Sequence, residues 1–391
     1  MFERLSKPLL SNSFYVFGAR GTGKSTLVKG LLPEGKTLIL DFLRSDDEER
    51  FSKDPMLLKT EIQGALPELE WIMIDEVQKI PKILDIVHLI MEDKATRHLK
   101  FALTASSARK LKLAGANLLA GRAYMNELYP LTHVEMADKF DLFFALNWGT
   151  IPKAVNTSED VSRIEFLRTY ARTYLKEEVW DERLIHSLDP FRKFLEVAAQ
   201  TNGMIINHAA IARQTGVDDK TVKKYFEILA DTFVGFYLEA YSQSVRKQQI
   251  SSPKFFLFDL GVKKALEGFL NIPIVPKTFA FGRAFEHFII AECVRMNSYA
   301  RKDFGFSYLK TKSNVEIDLI INRPGSTQVC VEIKSTDSVD ESDARTLNAF
   351  RDDFPDAEFH VWSNDPRPKQ FGVVKARHWR EGLYEAGLTV K

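Results

Sequence analysis

An α/β fold, with a parallel sheet covered by helices on both faces, is predicted for the first third of this 391-residue chain by three observations. Short apolar runs alternate with amphipathic stretches from residue 13 to 122, the pattern of buried strands joined by crossover helices. A glycine-rich turn follows the first of these runs, and two adjacent carboxylates end the third.

The strands are expected at residues 14–17, 37–42, 71–74 and 101–104, each short and apolar enough for a central position buried on both faces. From 130 to about 190 the period becomes helical. Ile164, Leu167, Tyr170, Ala171, Tyr174 and Leu175 fall on one face of 162–180, as in a lid or connector. Three helical stretches over 191–250 precede a basic, β-prone segment at 245–258. The last third opens with a helix at 282–296 and then reads as strands at 307–310, 315–321, 328–333 and 358–362. The expected divisions are 1–128, 129–190, 191–262 and 263–391, since a single core rarely grows to this length.

Composition narrows the functional classes. An apolar fraction of 45% with 27% charged residues fits a folded globular protein. A net charge of +1 gives no overall basic field, so any nucleic-acid surface must be local. Cys293 and Cys330 lack metal-ligand spacing, which argues against a disulfide framework or a cysteine-rich zinc site and for buried apolar roles. With no apolar leader and no apolar run of about 18 residues, a cytoplasmic protein without membrane contact is expected.

Gly18-Ala19-Arg20-Gly21-Thr22-Gly23-Lys24-Ser25 matches G-x-x-x-x-G-K-[ST] between an expected strand and an expected helix. Its glycines let backbone N–H groups wrap phosphates while Lys24 reaches the β and γ oxygens, which implies ATP as the ligand. Ser25 supplies a hydroxyl to Mg2+, and Thr26 neighbours the α-phosphate. Asp75, ending the third strand, is the second expected magnesium residue, and Glu76 is the expected base that polarises the attacking water. After the fourth strand, the hydroxyls of Thr104-Ala105-Ser106-Ser107 either sense the γ-phosphate or form a plain turn.

These motifs, with Gly121-Arg122, the segments 129–135, 149–152 and 174–178, and Pro253-Lys254, Asp259-Leu260-Gly261 and Phe285-Glu286, resemble AAA-type ATPases of bacteria and archaea that carry a C-terminal nuclease-like domain. The resemblance spans nearly the whole chain. It implies an AAA+ nucleotide domain in which Arg122 reaches a neighbouring subunit's γ-phosphate, requiring a homo-oligomer such as a hexameric ring or at least a dimer. The alternative for Arg122 is an ion pair on its own domain's surface.

Residues 207–213, a turn ending at Gly216 and residues 217–229 have the layout of a helix-turn-helix, with Val217 and Val222 inward and Lys220, Lys223 and Lys224 outward. Arg246, Lys247 and Lys254 on the following ribbon would complete a winged helix-turn-helix placing cations against DNA phosphates. The same cations also suit the solvated face of a packing module. Further on, strand alternation puts Glu316 with Asp318 on one face, and Glu332 with Lys334 on one face of the next strand. Asp318, Glu332 and Lys334 resemble the PD-(D/E)XK core of a restriction-endonuclease-like α/β domain, with Glu286 as a further metal-coordinating acid and Lys334 catalytic. The alternative is a degenerate copy that only binds a partner. The resulting expectation is an ATPase that remodels or translocates DNA, branched DNA included, with or without metal-dependent cleavage. Its rival is an ATP-gated switch.

Overall fold

The computed structural model describes residues 2–65, 68–113, 119, 121–174, 188–241 and 251–389. Five parallel strands build the first sheet: β1 (Ser13–Phe17), β2 (Thr37–Asp41), β3 (Trp71–Asp75), β4 (Lys100–Ala105) and β5 (Ala123–Glu127), in the order β2-β3-β4-β1-β5. Every residue of β1 and β3 is buried. Alternation divides β1 between two cores: Phe14 and Val16 pack with Val28, Met73 and Ala102, while Tyr15 and Phe17 pack with Ile72, Ile74 and Leu103. The order places β1 between β4 and β5. The loop that follows β1 therefore leaves the middle of the sheet at its carboxyl edge, where open α/β sheets bind ligands. The sequence reading named four strands and not β5. Tyr124 and Met125 are exposed there, because β5 is an edge strand and lacks the continuous apolar run of a central one.

The middle of the chain is helical. Helices Leu142–Trp148, Pro152–Asn156 and Asp160–Thr169 lead into a wider turn at Tyr170–Tyr174; residues 175–178 of the family-like segment lie outside the described residues. Helices Leu188–Gln200, His208–Thr215 and Asp219–Asp231 share a core of Phe191, Phe194, Ile211, Val222 and Phe226. The Asn207 side chain accepts a hydrogen bond from the Ala210 N–H and starts the second of these helices, and Gly216 ends it at φ 74°, a left-handed conformation that glycine adopts without strain. Asp218 caps the third through the Thr221 N–H.

The second sheet has eight strands. β6 (Gly235–Ala240) and β7 (Lys254–Leu257) form an antiparallel pair, and β6 continues in parallel onto β8 (Gly305–Lys310), with Glu239 opposite Ser307. Then follow β9 (Glu316–Asn322), β10 (Val329–Ile333), β11 (Glu358–Ser363), β12 (Lys369–Phe371) and β13 (Val374–His378), giving the order β12-β13-β11-β10-β9-β8-β6-β7. The hairpin strands that sequence assigned to the helical unit are thus one end of this sheet. The helix Phe279–Ala300 packs Phe285, Phe288, Ile289 and Cys293 against Val331, Trp362 and Trp379. Both cysteines are buried and free.

Helix Leu142–Trp148 meets helix Leu260–Glu267 at two glycines. A Cβ on Gly149 (φ 70°) would lie 2.1 Å from Asp259 Oδ1, and one on Gly261 2.1 Å from the Trp148 carbonyl oxygen. Asp259 is fully engaged there, accepting from the Thr150 N–H at 2.7 Å and the Val262 N–H at 3.0 Å. Gly149→Ala must displace a buried carboxyl from both partners, so a loss of about 2–4 kcal/mol is expected, read as a lower denaturation midpoint.

Candidate nucleotide site and acidic cluster

The glycine-rich turn is held by approaches that only glycine permits. A Cβ on Gly18 would stand 2.1 Å from the Leu128 carbonyl oxygen, and Gly21 and Gly23 adopt φ of 81° and 97°. Gly23 begins the helix Lys24–Leu31 without a side-chain cap, so its first-turn N–H groups keep their capacity for an anion. Ala19 and Thr22 are buried in the turn, the Arg20 carbonyl accepts from the Tyr170 hydroxyl at 2.7 Å, and Thr26 is exposed on the first helical turn.

Lys24 donates to the carbonyl oxygens of Gly18 at 2.8 Å and Ala19 at 3.3 Å, and its ammonium lies 3.7 Å from Glu76 Oε1. Ser25 Oγ donates to Asp75 Oδ1 at 2.9 Å, and the Thr104 hydroxyl donates to the same oxygen. Glu76 has φ 55°, a sparsely populated conformation for a residue with a side chain, and its N–H donates to Thr104 Oγ1 at 3.0 Å. Gln78 and Ser106 both donate to Glu76 Oε2, the latter at 3.1 Å. Burial pushes the Glu76 carboxyl up, but the Lys24 charge, the hydrogen bonds from Gln78 and Ser106, and Arg20 together hold it below the usual range. Glu76 is therefore an ionised carboxylate at neutral pH, held in one place.

So the structure brings Gly18–Thr26, Asp75 and Glu76 together with Thr104 and Ser106. A hydroxyl, Ser25, beside the carboxylate Asp75 is a donor set that suits Mg2+ already carried on phosphate oxygens. Arg122 lies elsewhere. Ser13 pairs with Ala123 and Phe17 with Glu127, so Arg122 sits at the end of the sheet opposite Gly18, and its guanidinium is paired with Glu92 at 2.9 Å on the surface of its own domain.

Sequence reasoning missed two residues. Gln78 was given no role; buried between Glu76 and Ser106, it donates to both. Arg4 was given no role either. Its guanidinium donates to the Thr22 carbonyl at 2.6 Å, the Tyr129 carbonyl at 2.7 Å, Glu135 Oε1 at 2.9 Å and the Tyr299 hydroxyl at 3.2 Å, tying the phosphate turn to the long C-terminal helix.

A second cluster lies where β7, β9 and β10 face the helix Phe279–Ala300. Leu319 is opposite Val331, which sets Asp318 and Glu332 on neighbouring positions, and Asp318 Oδ2 accepts from the Ile333 N–H at 2.8 Å. Lys334 is paired with Glu332 at 2.7 Å. Glu286 is paired with Lys254 at 3.1 Å, and Lys254 also reaches Glu316 at 2.6 Å. Burial, then the charges of Glu332 and Glu286, push the Asp318 carboxyl well up, and Lys254 only partly offsets them. Burial likewise raises Glu332 against the opposing pull of Lys334. One expectation changes: Lys254, expected on an exposed wing against DNA, is 3% exposed and turned into this cluster. Of the acids expected to hold a metal, Glu286 is paired with Lys254 and Glu332 with Lys334, and among the described residues no group of three or more His, Cys, Asp or Glu side chains is gathered as an ion-binding set.

On the helix Asp219–Asp231, Lys220 and Lys223 are exposed and Lys224 is half-buried; Arg246 and Lys247 lie outside the described residues. Among the described residues no helix is long and apolar enough to cross a membrane.

Residues 11–137 match a family described as AAA domain, residues 139–272 a domain of unknown function (DUF8612), and residues 281–374 another domain of unknown function (DUF4143). Uncharacterized protein Mb2031c of Mycobacterium bovis and Uncharacterized protein Rv2008c of Mycobacterium tuberculosis are each 24% identical over 308 residues, spanning 79% of this chain and 67% of their own. The Thermotoga maritima RuvB Holliday junction branch migration motor aligns over 57% of this chain and 81% of its own at 17% identity, with a TM-score of 0.28, too low to support an inference. Residues 11–137 thus combine a match to the AAA family with an all-parallel sheet and a glycine-rich turn at its carboxyl edge, the arrangement of a P-loop nucleotide-binding fold.

Proposed function

We propose that the chain hydrolyses ATP to ADP and phosphate and couples that cycle to binding and remodelling DNA. The observation that carries the hydrolytic half is the Lys24–Glu76 ion pair. Lys24 is satisfied by two loop carbonyls and a carboxylate, all of which the β and γ phosphates would replace with stronger, doubly charged partners. As Lys24 turns to the phosphates, Glu76 keeps its bonds from Gln78 and Ser106 but loses its counter-charge, and so becomes a better proton acceptor for the attacking water. Ser25 and Asp75 would hold Mg2+, which when bound neutralises phosphate charge. Thr104 touches Asp75 and the Glu76 N–H, so it is placed to register changes in the metal-binding and water-activating carboxylates together. Arg122, half-buried and far from its own turn, would have to leave its ion pair with Glu92 to act on a neighbouring subunit's nucleotide in a homo-oligomer.

The DNA half is supported by the helix-turn-helix arrangement and its exposed lysines, which favour phosphate contacts over base reading. ATP hydrolysis measured with and without duplex, single-stranded and branched DNA tests it: stimulation by one form supports coupling, and a rate indifferent to all of them overturns it. If the lysines contact phosphates, Lys220→Ala with Lys223→Ala lessens the slope of log affinity against log salt by roughly 1.8 on duplex DNA, measured by fluorescence anisotropy. The Arg4 contacts favour a second reading, an ATP-gated switch in which the state of the phosphate turn is passed to the C-terminal helix without DNA.

A further inference from the structure

The nuclease-like cluster raises a separate question, because its acids are arranged around a cation supplied by the chain itself. Lys254 arrives on β7, from outside the β8–β13 strands, and its ammonium contacts Glu286 on the helix and Glu316 on β9. It also stands 5.0 Å from the centre of the Tyr308 ring, a further favourable site for a positive charge. Glu316 takes a second cation, Lys310, at 2.7 Å, and Lys334 neutralises Glu332. Four carboxyls, Glu286, Glu316, Asp318 and Glu332, thus share three ammonium groups, Lys254, Lys310 and Lys334. The Lys254 ammonium stands between Glu286 on the helix and Glu316 on β9, so a divalent ion joining those two carboxyls would have to expel a buried lysine.

From this geometry we infer that Lys254 occupies the place of a metal ion, so that the nuclease-like core is a lysine-closed acidic cluster that binds no divalent cation and performs no metal-dependent cleavage. The ammonium is in the right place to do this for two reasons. It bridges the helix and the sheet, the same surfaces a coordinated ion would join, and it is tethered by the hairpin, so its local concentration far exceeds that of any free ion. Burying a lysine is costly unless it is paired on several sides, and here the pairing is complete enough that Glu286, Glu316 and Asp318 push its ammonium pKa up against burial. The role differs from that of Lys334, whose side chain is 36% exposed against 4% for Lys254 and is paired with a single carboxylate, Glu332.

The inference is independent of ATP hydrolysis, since the cluster contains none of the residues around Lys24, and Lys24→Ala is expected to leave its readout untouched. Nucleotide-free full-length protein is titrated with Mn2+ and bound ion is counted by electron paramagnetic resonance, beside Asp318→Asn. Wild type is expected to show no site that Asp318→Asn removes. Lys254→Met is expected to gain one Mn2+ site per chain, lost again in Lys254→Met with Asp318→Asn, and its unfolding midpoint should rise with Mn2+ while that of wild type stays still. A wild-type site abolished by Asp318→Asn overturns the inference, as does a folded Lys254→Met that gains none. Should Lys254→Met fail to fold, the comparison of wild type with Asp318→Asn still decides the matter.

Discussion

Replacing Glu76 with glutamine is expected to leave nucleotide binding intact and to lower the rate of ATP hydrolysis by roughly 10²–10⁴-fold, the usual worth of a positioned general base. Glutamine keeps the shape of the side chain and its capacity to accept from Ser106 and Gln78, so the left-handed backbone at this position meets no new demand. What is lost is the carboxylate that takes the proton. The same change removes the partner that holds Lys24 at 3.7 Å, so Lys24 need not abandon an ion pair when ATP arrives, and affinity should stay equal or rise. Equilibrium binding of a fluorescent ATP analogue and single-turnover hydrolysis separate the two effects. A turnover within about threefold of wild type would remove Glu76 from the chemistry.

Arg4→Ala carries the largest expected loss of stability. The guanidinium is 7% exposed and its partner Glu135 is fully buried, so truncation leaves a carboxylate buried without its cation, a change that costs about 3–5 kcal/mol. Glu135 retains the Leu5 and Thr132 N–H groups, which limits the penalty. The Thr22 and Tyr129 carbonyls lose a donor at the same stroke, and with them the phosphate turn loses its tie to Tyr299. A fall in the thermal midpoint accompanied by weaker ATP binding is the expected result. A variant that melts like wild type would show that Arg4 merely lies against these groups.

What could be read from sequence, and what could not, follows the reach of the interactions. Central strands such as β3 declare themselves because both faces are buried and every residue must be apolar. The glycine-rich turn is legible because its chemistry is local, with eight consecutive residues supplying shape and charge. β5 escaped because an edge strand tolerates Tyr124 and Met125 in solvent. Arg4 and Gln78 escaped because a polar side chain's partners are chosen by tertiary structure: Glu135 is 131 residues from Arg4. Lys254 was misread for the same reason. A lysine beside β-prone residues normally belongs to a solvated edge, and only the fold brings Glu286 and Glu316 to meet it.

The parallel pairing of β6 with β8 also sets a timetable. Glu239 and Ser307 are neighbours in the sheet, yet a ribosome adding about 5–20 residues per second makes the second of them several seconds after the first. A β6–β7 hairpin formed in that interval would have an outer edge of unpaired backbone groups, with the acids that neutralise Lys254 not yet made. Such a hairpin would stay open to a chaperone or to another chain's strand until β8 docks.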